Sequence, residues 1–202
     1  MCGMPSAAPP ADDAQDSDES LMLRYAGGDI SAFDALYARH EMGVWRYVFR
    51  SVRVQAVADD LLQDVWFAVA RQGASYQPTA RFKTWLFTIA HNRMVDHFRT
   101  AKNHASMDDH GDDDEENGLA HTLAADSGFG PVRQLQSREQ AEALITAVEQ
   151  LPADQREAFL LQAEAGLSVE DIASTTGVSF ETAKSRLRYA RRSLRQQLQE
   201  FA

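Results

Sequence analysis

The chain has 202 residues, 44% of them hydrophobic, and a single cysteine, Cys2. That apolar content suffices for one medium or two small helical cores. One thiol excludes an internal disulfide and a cysteine-built zinc site, and it suits a reducing cytoplasm. The net charge of −10 argues against nucleic acid only until it is resolved along the chain: residues 1–20 carry five acids and no base, and residues 101–135 carry eight acids against Lys102 and Arg133. Residues 21–100 hold ten Lys/Arg against seven Asp/Glu, and residues 178–202 hold six against two. The acidity therefore belongs to a tail and a linker, and the clustered bases are the electrostatic footprint of nucleic-acid binding.

Residues 1–17 are rich in Ala, Pro, Asp and Ser, too poor in large apolar groups to offset the entropy of ordering, and are expected to be disordered. No basic n-region precedes an apolar stretch, and no run of about 18 apolar residues occurs, so neither secretion nor membrane insertion is expected. A first helix is expected from Asp18 to Gly27-Gly28, which suit a left-handed cap. A second follows Asp29 or Ser31 and runs to about Val52, with Phe33, Leu36, Tyr37, Val44, Trp45 and Val48 as its apolar stripe. A third, Gln55 to Gln72, turns Val57, Leu61, Leu62, Val65, Trp66 and Val69 inward and leaves Asp59, Asp60, Gln63 and Asp64 outside. After a loop over 73–80, a fourth helix runs from about Arg81 to Lys102. Phe82, Trp85, Leu86, Ile89, Met94, Val95 and Phe98 line it, interleaved with Arg81, Lys83, His91, Asn92, Arg93, His97 and Arg99.

Residues 103–135, with the acidic run at 108–116, read as a linker without periodicity. A coil of about 33 residues has ends roughly 30 Å apart and reaches about 100 Å when extended. A second domain begins near Gln136 with four helical segments: Ala141 to Leu151, Asp154 to Ala165, a short helix from Ser168 to Gly177, and Ser179 to about Gln199. Both serines are good N-caps, and Ser168-Val-Glu-Asp171 resembles a capping box with Asp for Glu. The fold class is all-α: two small helical domains, 18–102 and 136–202, joined by a flexible acidic linker.

The strongest local signal spans Gly166 to Leu187. A short helix, a tight turn at Gly177 plugged by Val178, and a helix anchored by Ala183 and Leu187 make helix-turn-helix geometry, whose second helix offers its N-terminal residues to the major groove. Ser179, Glu181, Thr182, Lys184, Ser185 and Arg188 are candidates for bases or phosphates. Glu accepts from cytosine N4, and Lys or Arg donates to guanine O6/N7. Arg191, Arg192 and Arg195 suit phosphates, which position without specifying.

A second signal is Phe82 to Arg99 with Tyr76 upstream. Aromatic rings beside amide and cationic groups can hold an unstacked base, since a π-face stacks any base and Asn bonds its edge. Tyr76, Arg81, Lys83, Trp85, Asn92, Arg93 and Arg99 are the candidates, although Phe82, Trp85 and Phe98 also read as core residues of a helix bundle.

Asp60-Leu-Leu-Gln-Asp-Val-Trp66 followed by Phe82-Lys-Thr-Trp-Leu-Phe-Thr-Ile-Ala-His-Asn92 resembles regions 2.2 to 2.4 of extracytoplasmic-function sigma factors. Leu151-Pro-Ala-Asp-Gln-Arg-Glu-Ala-Phe159 through Lys184-Ser-Arg-Leu-Arg-Tyr-Ala-Arg191 resembles their region 4. The resemblance covers about 20–100 and 136–200 in the right order. It implies an RNA polymerase specificity subunit without enzymatic activity, cofactor or small-molecule substrate. Its partners would be core polymerase through the β′ clamp helices and β flap, promoter DNA and an anti-sigma factor, in a stress or envelope response. By the same resemblance Asp59, Asp60, Leu61, Gln63 and Asp64 would meet the clamp helices. Tyr76 and Asn92 would hold a flipped base of the −10 element, and the 184–188 segment would read the −35 element. Tyr189 departs from the family, which more often has a basic residue there, and the domain that housekeeping sigma factors carry between these two is lacking.

Weaker readings are metal sensing by His104, His110 and His121, redox sensing by Cys2, and nucleic-acid mimicry by the acidic linker inside the polymerase channel. The rival functions are a stand-alone helix-turn-helix regulator, binding duplex as a dimer without polymerase, and a recombinase using Arg and Tyr189, for which no assembled catalytic set is present. Run-off transcription with core polymerase discriminates among them.

Overall fold

The computed structural model describes residues 17–107 and 138–199. Among these residues the secondary structure is helical, without strands: α1 (Asp18–Ala26), α2 (Ile30–Val52), α3 (Gln55–Gln72), a 3-10 turn (Gly73–Ser75), α4 (Phe82–Met107), α5 (Arg138–Glu149), α6 (Ala153–Ala165), α7 (Val169–Thr176) and α8 (Phe180–Gln197). The tail, the acidic run, Cys2, His110 and His121 lie outside the described residues.

Helix starts follow local chemistry. Ser17 accepts from the Ser20 amide to begin α1, and Asp29 accepts from the Ser31 amide to begin α2. Each thereby satisfies a donor that the first turn leaves open. The expected left-handed cap after α1 is displaced by one residue: Gly27 has φ −80° and Gly28 has φ +101°. α4 outlasts its expected end at Lys102 by five residues, because no Gly or Pro intervenes before Gly111 and nothing local stops the helix. The expected linker therefore loses 103–107 to α4. α5 begins and ends earlier than expected, leaving Leu151 as a buried residue beyond its last turn.

The first domain packs α1, α3 and α4 around α2, over a core that includes Met22, Leu36, Val44, Tyr47, Phe82, Leu86 and Phe87. Glu19 of α1 accepts from the Phe82 amide at 2.8 Å, so α1 caps the start of α4 from across the domain. The second domain buries Leu160, Leu161, Ile172, Leu187 and Leu194 among α6, α7 and α8. The two domains touch: α6 lies on α2 and α4, and α7 lies on α4.

Three residues of the expected stripes are more exposed than expected. Tyr37 packs its ring against Trp66 at 4.9 Å and keeps its edge outside. Val95 and Phe98 are half-exposed, because the apolar stripe of α4 continues past the surface it packs on and borders an open groove with Ala153, Arg156 and Glu157 of α6.

Candidate nucleic-acid and polymerase interfaces

The α7–α8 unit is a helix-turn-helix whose two helix starts are fixed by side-chain caps. The Ser168 hydroxyl accepts from the Asp171 amide at 3.1 Å while the Asp171 carboxylate accepts from the Ser168 amide at 3.2 Å, completing the capping box. Burial opposes ionisation of Asp171. The hydrogen bonds from Ser168 and Thr84 outweigh it and hold the carboxyl below its ordinary value. Gly177 closes α7 at φ +67°, a backbone state that a Cβ disfavours. The Ser179 hydroxyl then accepts from the Thr182 amide at 3.2 Å and opens α8.

Ala183, Leu187, Ala190 and Leu194 of α8 are buried at helical spacing, which forces Glu181, Thr182, Lys184, Arg188, Arg191 and Arg192 outward. Ser185 is half-buried and Ser179 is exposed, with its hydroxyl engaged in the cap. Lys184 lies 3.3 Å from Glu181, Arg188 stacks on the Tyr189 ring at 4.9 Å, and Arg191 donates to Gln162 at 2.5 Å. These contacts hold the cations in place on one face. Arg186 instead ties α8 to Asp154 of α6 at 2.5 Å.

On α4 the expected set divides. At about 100° per residue, Trp85, Asn92 and Arg99 fall on one stripe, while Lys83 lies about 180° from Asn92. Arg81, Lys83, Asn92 and Arg99 are exposed, and Trp85 and Arg93 are half-buried. Tyr76 departs from the expectation of a surface base trap: it is only 8% exposed, with its ring against Trp85 at 5.1 Å and Phe82 at 6.3 Å. Burial and the nearby Glu19 and Asp18 charges raise its pKa, and its hydroxyl is buried without a hydrogen-bond partner. Tyr76 forms the floor beneath Trp85 in this conformation. Phe82 is fully buried, as its core reading expected.

α3 presents an acidic face. Asp59, Asp60, Gln63 and Asp64 are all exposed, and Asp59 accepts from the Trp45 indole at 2.7 Å. Leu61 is a correction: at 6% exposure it belongs to the core and supports this face from beneath. Phe67, absent from the expected set, is 64% exposed and lies one turn beyond Gln63 and Asp64. Its signal was available, since i+3 and i+4 spacing from two surface residues puts it on their face.

The sequence matches two family models, Sigma-70 region 2 over residues 36–104 and Sigma-70, region 4 over residues 141–194. It is 34% identical over 183 residues to RNA polymerase sigma factor CarQ of Myxococcus xanthus, covering 89% of this chain and 97% of that one. It is 32% identical over 179 residues to the ECF RNA polymerase sigma factor SigM of Mycobacterium tuberculosis, covering 88% and 83%. Among solved structures, the sigma factor RpoE of Bartonella quintana, crystallised with the anti-sigma factor NepR, superposes with a TM-score of 0.61 at 25% identity, covering 83% of this chain and 96% of that one.

Proposed function

Because this chain belongs to the extracytoplasmic-function group of the sigma-70 family, we propose a division of labour among its surfaces in directing core RNA polymerase to promoters. The family consists of transcription initiation factors, and we assign this chain no catalytic step of its own. The observation that carries the assignment is that one chain presents two chemically opposite faces: the acidic α3 face around Phe67 and the cationic face of α8. A stand-alone regulator needs only the second.

In this reading Asp60, Gln63, Asp64 and Phe67 dock on the β′ clamp helices of core polymerase, with Leu61 beneath them and Asp59 fixed to Trp45. α8 enters the major groove of the −35 element, where Glu181, Thr182, Lys184, Ser185 and Arg188 face base edges and Arg191 and Arg192 hold phosphates. The Trp85–Asn92–Arg99 stripe, with Arg81 and Arg93 beside it, receives the −10 strand, and Lys83 on the opposite side of α4 lies off this stripe. Unstacking a base costs a few kcal/mol, and capture of the preferred base offsets it, so discrimination among bases becomes promoter preference. Tyr76 contributes as the support that holds Trp85 in place.

A partner of the NepR kind, an anti-sigma factor, would hold the chain inactive. No described helix is long and apolar enough to cross a membrane, and a cytoplasmic site of action follows from the polymerase partner.

Run-off transcription with purified core polymerase tests the assignment. Promoter-specific transcripts are expected from the full chain. Asn92→Ala is expected to lower initiation on duplex promoters but to spare a template with a pre-melted −10 segment more than Lys184→Ala does. Equal loss from both variants on both templates would contradict the division of labour.

A further inference from the structure

The exposed surface of α8 divides into two sectors. Lys184, Arg188, Arg191 and Arg195 follow one of them, beside Val169 of α7, and make it cationic. Thr182, Ser185 and Tyr189 follow the other, within about 60° of one another around the helix. This second sector borders an open groove against Pro152, Ala153 and Gln155 at the start of α6. Arg186 and Glu181 also border that groove, but each is paired, with Asp154 and Lys184 respectively. The sector is therefore close to neutral, and its chemistry is that of three hydroxyls and one aromatic ring.

Tyr189 is the large group there and is 47% exposed. Its ring lies under the Arg188 guanidinium, 4.9 Å from the ring centre, and its hydroxyl oxygen accepts from Arg188 at 3.2 Å. Neighbours on a helix point about 100° apart, so the Arg188 side chain folds back over the ring to make both contacts. They fix the plane of the ring. Because the phenol oxygen is accepting, its own proton is left for an outside acceptor. The other two hydroxyls are less free: that of Thr182 is engaged with Ser179 at 2.8 Å, and Ser185 is half-buried.

An apolar ring edge beside one fixed donor matches one base better than the rest. In the major groove thymine presents O4 as an acceptor next to its C5-methyl group, guanine presents two acceptors that call for two donors, and cytosine presents a donor. We propose that Tyr189 is a specificity-determining residue that selects thymine at one base pair of the −35 element, the methyl group packing on its ring and O4 accepting from its hydroxyl. The proposal rests on α8 entering the major groove, as assigned above.

The test uses the full chain bound to core polymerase, which selects templates from a promoter library randomised through the −35 element. At one base pair the unmodified chain is expected to enrich thymine, and Tyr189→Arg, which offers two donors, to enrich guanine. Deoxyuridine in place of that thymine removes only the methyl group and is expected to weaken binding about fourfold, the worth of one buried methyl group. Tyr189→Ala should bind the thymine and deoxyuridine templates equally. 5-Methylcytosine keeps the methyl group but puts a donor where O4 stood. The unmodified chain should bind it less well than thymine, and Tyr189→Phe should not distinguish the two. Thermal melts verify that the variants fold. The same −35 preference from the unmodified chain and Tyr189→Arg overturns the proposal and leaves the functional reading standing. So does a methyl effect that survives in Tyr189→Ala, or an unmodified chain indifferent to deoxyuridine at every thymine of its preferred element. An unmodified chain that enriches no −35 sequence with core polymerase overturns the functional reading, and the role of Tyr189 with it.

Discussion

Phe67 and Tyr76 show how burial reassigns single residues. Both are aromatic residues of the first domain, yet one is 64% exposed among polar groups and the other is 8% exposed beneath Trp85. An exposed aromatic residue packs against little in its own domain, so Phe67→Ala is expected to change folding stability by no more than about 0.5 kcal/mol. If Phe67 anchors the polymerase contact, the same substitution should weaken core binding by about 2 kcal/mol, as hot-spot truncations do. Titration of labelled protein with core polymerase measures this, and an unchanged affinity would remove Phe67 from the docking face. For Leu61 the apolar stripe of α3 points inward while the family resemblance places it among the clamp contacts, and at 6% exposure the structure follows the stripe, because 100° of helical rotation separates it from its exposed neighbour Asp60.

Helix ends connect local chemistry to packing. Ser168→Ala removes the capping box of α7 and is expected to destabilise the second domain by about 1 kcal/mol, read as a lower melting temperature. α1 is held differently. Asp18 pairs with His40 at 2.8 Å and Arg39 at 3.1 Å. The His40 hydrogen bond is the main cause that holds its carboxyl below its ordinary value, against the opposing effect of burial. A folded pKa below the unfolded one means that this contribution is present in full above the ordinary carboxylate range and is lost as pH falls through the depressed value. Asp18 is partly solvated, so about 0.5–1 kcal/mol is at stake. Asp18→Asn should lower stability at neutral pH and flatten the acid limb of a melting-temperature profile; a limb of unchanged slope would exclude this linkage. Because Glu19 of the same helix caps Phe82, loosening α1 should also fray the start of α4, visible as faster amide exchange there.

Across the whole molecule, the net charge of −10 coexists with a cationic α8, and affinity for a −35 duplex should therefore depend steeply on salt. Each phosphate contact contributes about 0.9 to the slope of log K against log salt. Arg192→Ala should reduce that slope by about one contact, with little change in sequence preference. Lys184→Ala should alter preference as well, and an identical effect of both would deny that α8 separates readout from anchoring. The stand-alone regulator receives no support from the relatives, whose matches run through both domains.

The order and type of the helices, the helix-turn-helix and the two families of charged face were legible in the sequence, because they arise from contacts within a few residues: caps, apolar periodicity and the left-handed glycine at 177. Tertiary packing decided which aromatic rings are covered, how α4 is capped and what joins the domains. Glu19 meets Phe82 across 63 positions, and Glu164 meets Arg46 across 118. Pairs so distant in sequence leave no periodic trace, and a glutamate bound for a buried arginine pair looks, in one dimension, like any other acid on a helix.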